Sequence, residues 1–91
     1  MNKKELIEAV AEATDQSKKV AGEVVDAFIT TVQGAVTNGD RVSLPGFGTF
    51  ERRQRSARTA RNPRTGEPIQ IAAAKVPAFK AGSAFKQSVN K

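Results

Sequence analysis

Leu6, Ile7, Val10, Ala11 and Ala13 recur at the spacing of one helix face, while Glu5, Glu8 and Glu12 fall mostly on the other. Asn2 and Glu5 have the three-residue separation of an N-cap and its capping-box partner, which predicts a helix opening just after Asn2. Thr14-Asp15-Gln16-Ser17 is a short connection, and Ser17 is a natural cap for a second helix. That helix carries Val20, Ala21, Val24, Val25, Phe28, Ile29, Val32, Ala35 and Val36, and it stops at Thr37-Asn38-Gly39, where a residue can turn left-handed. Two helices joined this closely predict a helical hairpin. The second is apolar over more of its circumference than one partner helix covers. Part of that face is expected to meet another subunit, the alternative being that a sheet covers it.

The period then changes from 3.6 to 2. Arg41-Val42-Ser43-Leu44 alternates as a half-buried strand does, Pro45-Gly46-Phe47-Gly48 reads as a turn, and Thr49-Phe50-Glu51 resumes the alternation. Gly46 and Gly48 leave Phe47 free to point inward. Phe47, Phe50, Phe79 and Phe85 are expected to join Phe28 in a core. The paired glycines lack the third glycine and following helix of a phosphate loop. From Glu51 to Arg61 almost no apolar side chain exceeds alanine. Arg61-Asn62-Pro63-Arg64-Thr65-Gly66 is a turn, and Ile69 and Ile71 alternate beyond it up to Val76. These two runs predict a β-ribbon without the bulk to bury a face, and such a ribbon is marginal by itself. It reads as an arm that becomes well ordered only against a partner. Val76-Pro77-Ala78-Phe79 is expected to break the strand and return the chain to the body. Ser83 is expected to cap a last helix, Ala84 to Asn90, with Phe85 and Val89 at i and i+4.

Charge sharpens this picture. The 15 basic and 9 acidic residues leave a net +6, but the distribution is uneven. Residues 52–80 hold eight cations against Glu67 alone, whereas residues 1–51 are net acidic by three. Six of the seven arginines lie between Arg52 and Arg64. Positive charge concentrated on one projecting segment is the footprint of a polyanion site. A two-stranded ribbon fits a nucleic-acid groove, and arginines along it can neutralise phosphates on both walls. Arginine also suits the narrow, electronegative minor groove. Pro63 at the tip is either a turn-former only or an apolar wedge that unstacks base pairs and kinks the duplex. Lys3 and Lys4 oppose the helix dipole at their position, so they either serve a partner or are simply solvated.

Other classes fit less well. The 91 residues make one domain: a body of residues 1–51 and 77–91 with an arm of residues 52–76. A body of about 65 residues is marginal on burial alone, which favours oligomerisation. Cysteine and histidine are both absent, so disulfides and ordinary zinc ligands are excluded, and no cofactor or metal is expected. Without them an enzyme would need convergent carboxylates, and the acids stand only at helix-surface spacing. The N-terminus lacks a signal-peptide core and no apolar run reaches membrane-span length, so a soluble intracellular protein is expected. The arm has no apolar face for a membrane surface. RNA presents the same phosphates, but without Trp or Tyr the chain has no evident base-stacking platform.

LPGFGTF, ARTARNPRTGEPIQI and AAAKVPAFKAG together resemble the HU proteins of the bacterial nucleoid, in the HU/IHF family. The likeness runs from MNKKELIEAV to FKQSVN. Its most specific part is the GFG-x-F run with NPxTG beginning fifteen residues after Phe47. The AAAKVPAF run is more similar to HU than to the integration host factor subunits. The resemblance implies an α+β fold: a helical hairpin base, a small antiparallel sheet with a long protruding β-ribbon arm, and a short C-terminal helix. It also implies an intertwined homodimer, or heterodimer with a paralogue, whose two arms wrap the minor groove of bent double-stranded DNA. It makes Pro63 the intercalating residue and places Arg58, Arg61 and Asn62 at the arm tip. Arg53, Arg55, Arg64 and Lys75 become phosphate contacts along the arm, and Lys3, Lys18, Lys80 and Lys86 phosphate contacts on the body. The function implied is architectural, with little sequence preference: DNA bending and condensation in the cytoplasmic nucleoid, favouring nicked, gapped, cruciform or bent DNA. Ser83 stands where many relatives carry a basic residue, and Ala60 where many carry glycine. With Pro68, which removes one possible ladder donor, Ala60 is expected to stiffen the arm.

Overall fold

The computed structural model describes every residue from Met1 to Lys91 as two compact units, Met1–Gly34 and Ala35–Lys91. Helix α1 (Lys3–Thr14) and most of helix α2 (Lys18–Thr37) form the first unit. The Asn2 side chain accepts a hydrogen bond from the Glu5 amide at 2.9 Å, and the Ser17 hydroxyl oxygen accepts one from the Val20 amide at 3.1 Å. Both predicted N-caps are therefore formed. Each helix ends in a Schellman turn. Asp15 takes the left-handed conformation (φ 55°) after α1, with Gln16 N–H donating to the Ala11 carbonyl. Gly39 does so after α2 (φ 88°), with its own N–H on the Val36 carbonyl and the Asp40 N–H on that of Ala35. Gly22 lies beside Ile7, and Lys3 Nζ meets the Asp26 carboxylate at 2.6 Å.

The second unit holds the remaining elements: β1 (Val42–Leu44), β2 (Gly48–Arg55), β3 (Arg58–Arg61), β4 (Pro68–Ile71), β5 (Ala74–Ala81) and α3 (Ser83–Val89). Strands β1, β2 and β5 form an antiparallel sheet in the order β1-β2-β5, with Val42 opposite Phe50 and Phe50 opposite Phe79. The turn into β2 closes through Phe47 N–H to the Leu44 carbonyl at 3.0 Å, with Gly46 at φ 85°. Pro45 and Gly46 thus occupy the central positions of a type II turn.

Three expectations need correction. Pro77 does not break the strand: β5 runs through it, opposite Arg52, because β5 is an edge strand of the chain's sheet and an edge can spare an N–H. Gly82, not Ser83, is the N-cap of α3, and it makes no side-chain cap bond. Its N–H is instead held by the Phe47 carbonyl at 2.9 Å, which fixes where the helix begins. The aromatic core is also smaller than expected. Phe47, Phe50, Phe79 and Phe85 cluster, with Phe47 and Phe85 stacked at 5.5 Å between centroids. Phe47 and Phe79 remain 43% and 41% exposed, and Phe28, on α2, 46%.

Only Ala11, Ala21 and Val36 are buried among the hydrophobic residues, and no large side chain is fully buried. Val20, Val24, Phe28 and Ile29 on α2 and Val89 on α3 are exposed, Val89 by 73%. A chain that leaves this much apolar area in water has not completed a core.

Candidate nucleic-acid interface

Beyond the Phe50–Phe79 pair β1 no longer flanks β2, and the ribbon continues with two strands. Its ladder runs to Arg55–Ala74, lapses, and resumes from Arg58–Ile71 to Arg61–Pro68. The predicted single ribbon is thus two ladders separated by Ser56 and Ala57 on one strand and Ala72 and Ala73 on the other. Small side chains there offer nothing to pin the strands together. The register is nevertheless identical on both sides of the gap, so no residue is gained or lost as in a bulge.

Alternation places the cations on both faces. Arg53 and Arg55 share one face with Val76 and Ala74, while Arg52 shares the other with Gln54 and Lys75. In the outer ladder Arg58 lies on a face with Ala60, Ile69 and Ile71, and Arg61 on the opposite face with Thr59, Gln70 and Pro68. The arginines are exposed, and the nearest acid, Glu51, meets Arg53 only at 3.9 Å. An exposed pair at that distance contributes little and does not compete strongly with a phosphate.

The tip is organised by Asn62. Its side-chain oxygen accepts from the Arg64 amide at 2.8 Å, its carbonyl from the Gly66 amide at 2.7 Å, and its own N–H donates to the Glu67 carbonyl at 2.9 Å. The first of these is an Asx turn, which asparagine forms through its short acceptor side chain. Gly66 closes the loop at φ 74°, a conformation that disfavours a Cβ. Thr65 Oγ1 accepts from the Glu67 amide, and Arg61 Nη1 donates to the Gly66 carbonyl at 3.4 Å. Pro63 and Arg64 are held at the exposed apex of this network. Asn62 therefore builds the turn that presents Pro63.

The expected residues divide between the two units. Arg53, Arg55, Arg58, Arg61, Asn62, Pro63, Arg64 and Lys75 are gathered on the ribbon, with Lys80 (opposite Thr49) and Lys86 (on α3) in the same unit. Lys3 and Lys18 belong to the helical unit, each the first residue of its helix. Lys3 is already paired with Asp26, which nothing in the sequence signalled. The sequence reading also missed Arg52, counted there only as charge. Its Nη1 donates to the Thr37 carbonyl at 3.1 Å, at the end of α2. Neither clusters of potential metal ligands nor helices long and apolar enough to cross a membrane occur.

A small α+β fold carrying a basic, two-stranded ribbon has the makings of a nucleic-acid-binding protein. The family model for bacterial DNA-binding proteins matches residues 1–90. DNA-binding protein HU-beta of Pseudomonas aeruginosa is 59% identical over 90 residues, covering 99% of this chain and 100% of that protein. DNA-binding protein HU 1 of Bacillus subtilis is 58% identical, covering 98% of this chain and 97% of its own length. Among solved structures, the HU chain of an Anabaena HU–DNA cocrystal superposes with a TM-score of 0.90 at 50% identity, over 98% of this chain and 97% of that one. HU from Thermotoga maritima gives 0.69 at 31% identity, over 98% of both chains. The chain belongs to the bacterial DNA-binding protein family, as a member of the HU type.

Proposed function

We propose that two copies of this chain form an architectural DNA-binding dimer that bends and condenses double-stranded DNA through paired minor-groove arms. The observation that carries this reading is the ribbon itself: cations on both faces, leading to an exposed proline held by an Asx turn. The DNA complex of the Anabaena relative, at 50% identity, supports it. Dimerisation is supported by the apolar residues of α2 that the single chain leaves exposed, Val24 by 58%. A paralogue in place of the second copy would form a heterodimer of the same design. Residues 1–51 and 77–91 act as the body and residues 52–76 as the arm.

Affinity comes from counterion release by Arg53, Arg55, Arg58, Arg61, Arg64 and Lys75 on the arms and by Lys3, Lys18, Lys80 and Lys86 on the body. Pro63 enters a base step and kinks it, with Asn62 holding it in place. Selectivity follows from deformation energy. Nicked, gapped or four-way-junction DNA binds better than intact duplex, because part of the distortion is already present. The chromosome in the bacterial cytoplasm is the substrate this implies.

A competition gel shift at two salt concentrations, with intact, nicked and four-way-junction DNA and structured RNA, tests the proposal. Distorted DNA is expected to win, with steep salt dependence. Equal binding to all four reduces the arm to a general polyanion site and removes the wedge.

A further inference from the structure

Arg52 occupies a singular place on the ribbon. It is two residues beyond Phe50, where β1 ceases to support β2, and it stands opposite Pro77. Pro77 has no N–H, and it sits where that group would point away from β2, since the Gly82 N–H to Phe47 carbonyl bond sets the hydrogen-bonded rungs at the odd positions of β2. Arg52 also shares the face of Phe50 and Phe79, opposite to that of Arg53 and Arg55.

Its guanidinium reaches off the ribbon. Nη1 donates at 3.1 Å to the carbonyl of Thr37, the last residue of α2. A cation there also meets the negative end of the helix dipole. Gly39 leaves the space the guanidinium fills: a Cβ on Gly39 would lie 3.0 Å from Arg52 Nη2 and 3.3 Å from Cζ. Arg53 and Arg61, by contrast, have their partners within the ribbon, at Glu51 and Gly66.

We propose that Arg52 is a positioning residue for DNA bending: it ties the root of the arm to the end of α2, sets the arm's direction, and neutralises no phosphate. The inference rests on the architectural reading above. The planar fork of arginine is what reaches the carbonyl while lying against Gly39, so lysine does not replace it.

The full-length chain is compared with Arg52→Ala and Arg52→Lys, after thermal melting confirms that each variant is folded. Two quantities are read: the slope of log K against log salt on intact duplex, and the end-to-end distance distribution of a doubly labelled duplex at saturation. A phosphate contact contributes about 0.9 to the slope, or about 1.8 for two arms. The expected result is a wild-type slope in both variants with a shifted or broadened distance distribution. Arg52→Ala is also expected to bind intact duplex several-fold more weakly while its affinity for four-way junctions changes less than two-fold. A slope reduced by about 1.8 in Arg52→Ala and retained in Arg52→Lys, with unchanged bending, makes Arg52 a phosphate contact and overturns the proposal. Unchanged bending in both variants overturns it as well. A wild-type protein that does not bend DNA overturns the architectural reading too, so the two failures are distinguishable.

Discussion

Gly48 yields its side-chain space to the ring of Phe79 across the β2–β5 ladder. A Cβ built on Gly48 would lie 2.6 Å from Phe79 Cε1 and equally close to the backbone oxygen of Lys80. The ring can turn, but a paired backbone oxygen cannot move without disturbing the ladder. The same ring lies 4.8 Å from Phe50 and 5.1 Å from Phe47, between centroids, so displacing it loosens the whole aromatic cluster. Gly48→Ala is therefore expected to destabilise the protein by about 1–3 kcal/mol, as overpacking does. For a domain of this size each kcal/mol lowers Tm by about 4–8 °C. Thermal melting at one fixed protein concentration checks this, since a dimer's Tm depends on concentration.

Pro63→Ala removes the wedge but not the charge. Its affinity for a pre-bent or nicked site is expected to stay within about three-fold of wild type, while bending of intact duplex falls sharply. Circular permutation or distance measurements on labelled DNA report the bend. Equal loss on straight and pre-bent sites would argue that the proline only turns the chain.

With on the order of eight of the dimer's cations in phosphate contact at one time, log K is expected to fall with log salt at a slope near −7. Arg55→Ala should bring that slope up by about 1.8, through one contact on each arm, and weaken all sequences alike. Titrations at four or five salt concentrations measure it. A wild-type slope shallower than about −2 would remove counterion release as the source of affinity.

Asn62→Ala deletes the acceptor that the Arg64 amide uses at 2.8 Å. The loss of one neutral hydrogen bond is on the order of 1 kcal/mol, about five-fold in affinity for DNA that must be kinked. Tm should hardly move, because the tip lies outside the aromatic cluster. Gel shifts paired with melting curves separate the two effects.

Lys3 and Asp26 are each 59% exposed in their side chains, and a pair in that setting contributes at most about 1 kcal/mol. Asp26→Asn is expected to leave Tm nearly unchanged and to tighten DNA binding a few-fold at low salt, since Lys3 then has no competing carboxylate. The gain should vanish as salt rises.

Much of this was legible in the sequence because it is local. Asn2, Ser17 and Gly39 mark helix ends through bonds spanning only a few residues, and the Asn62–Gly66 turn is written in adjacent positions. The family motif extended that reading to the arm and its proline. What escaped was tertiary. The Arg52–Thr37 bond spans fifteen positions, and Lys3–Asp26 joins two helices; neither leaves a periodic trace. Pro77 misled because a proline's effect depends on whether its strand is an edge, which composition does not state. The gap at Ser56–Ala57 was equally hidden, because alanines and serines suit an interrupted ladder as readily as a continuous one.

That gap has a consequence for how the arm can change in length. The ladders on either side keep one register, and each strand alternates its side chains with a period of two. One residue added to both strands would invert everything farther out, carrying Ile69 and Ile71 to the side now held by Arg61 and Pro68. Two residues added to both would restore the order. Arm length is therefore quantised in four-residue steps, and the four small residues of the gap are where such a step would disturb the fewest contacts.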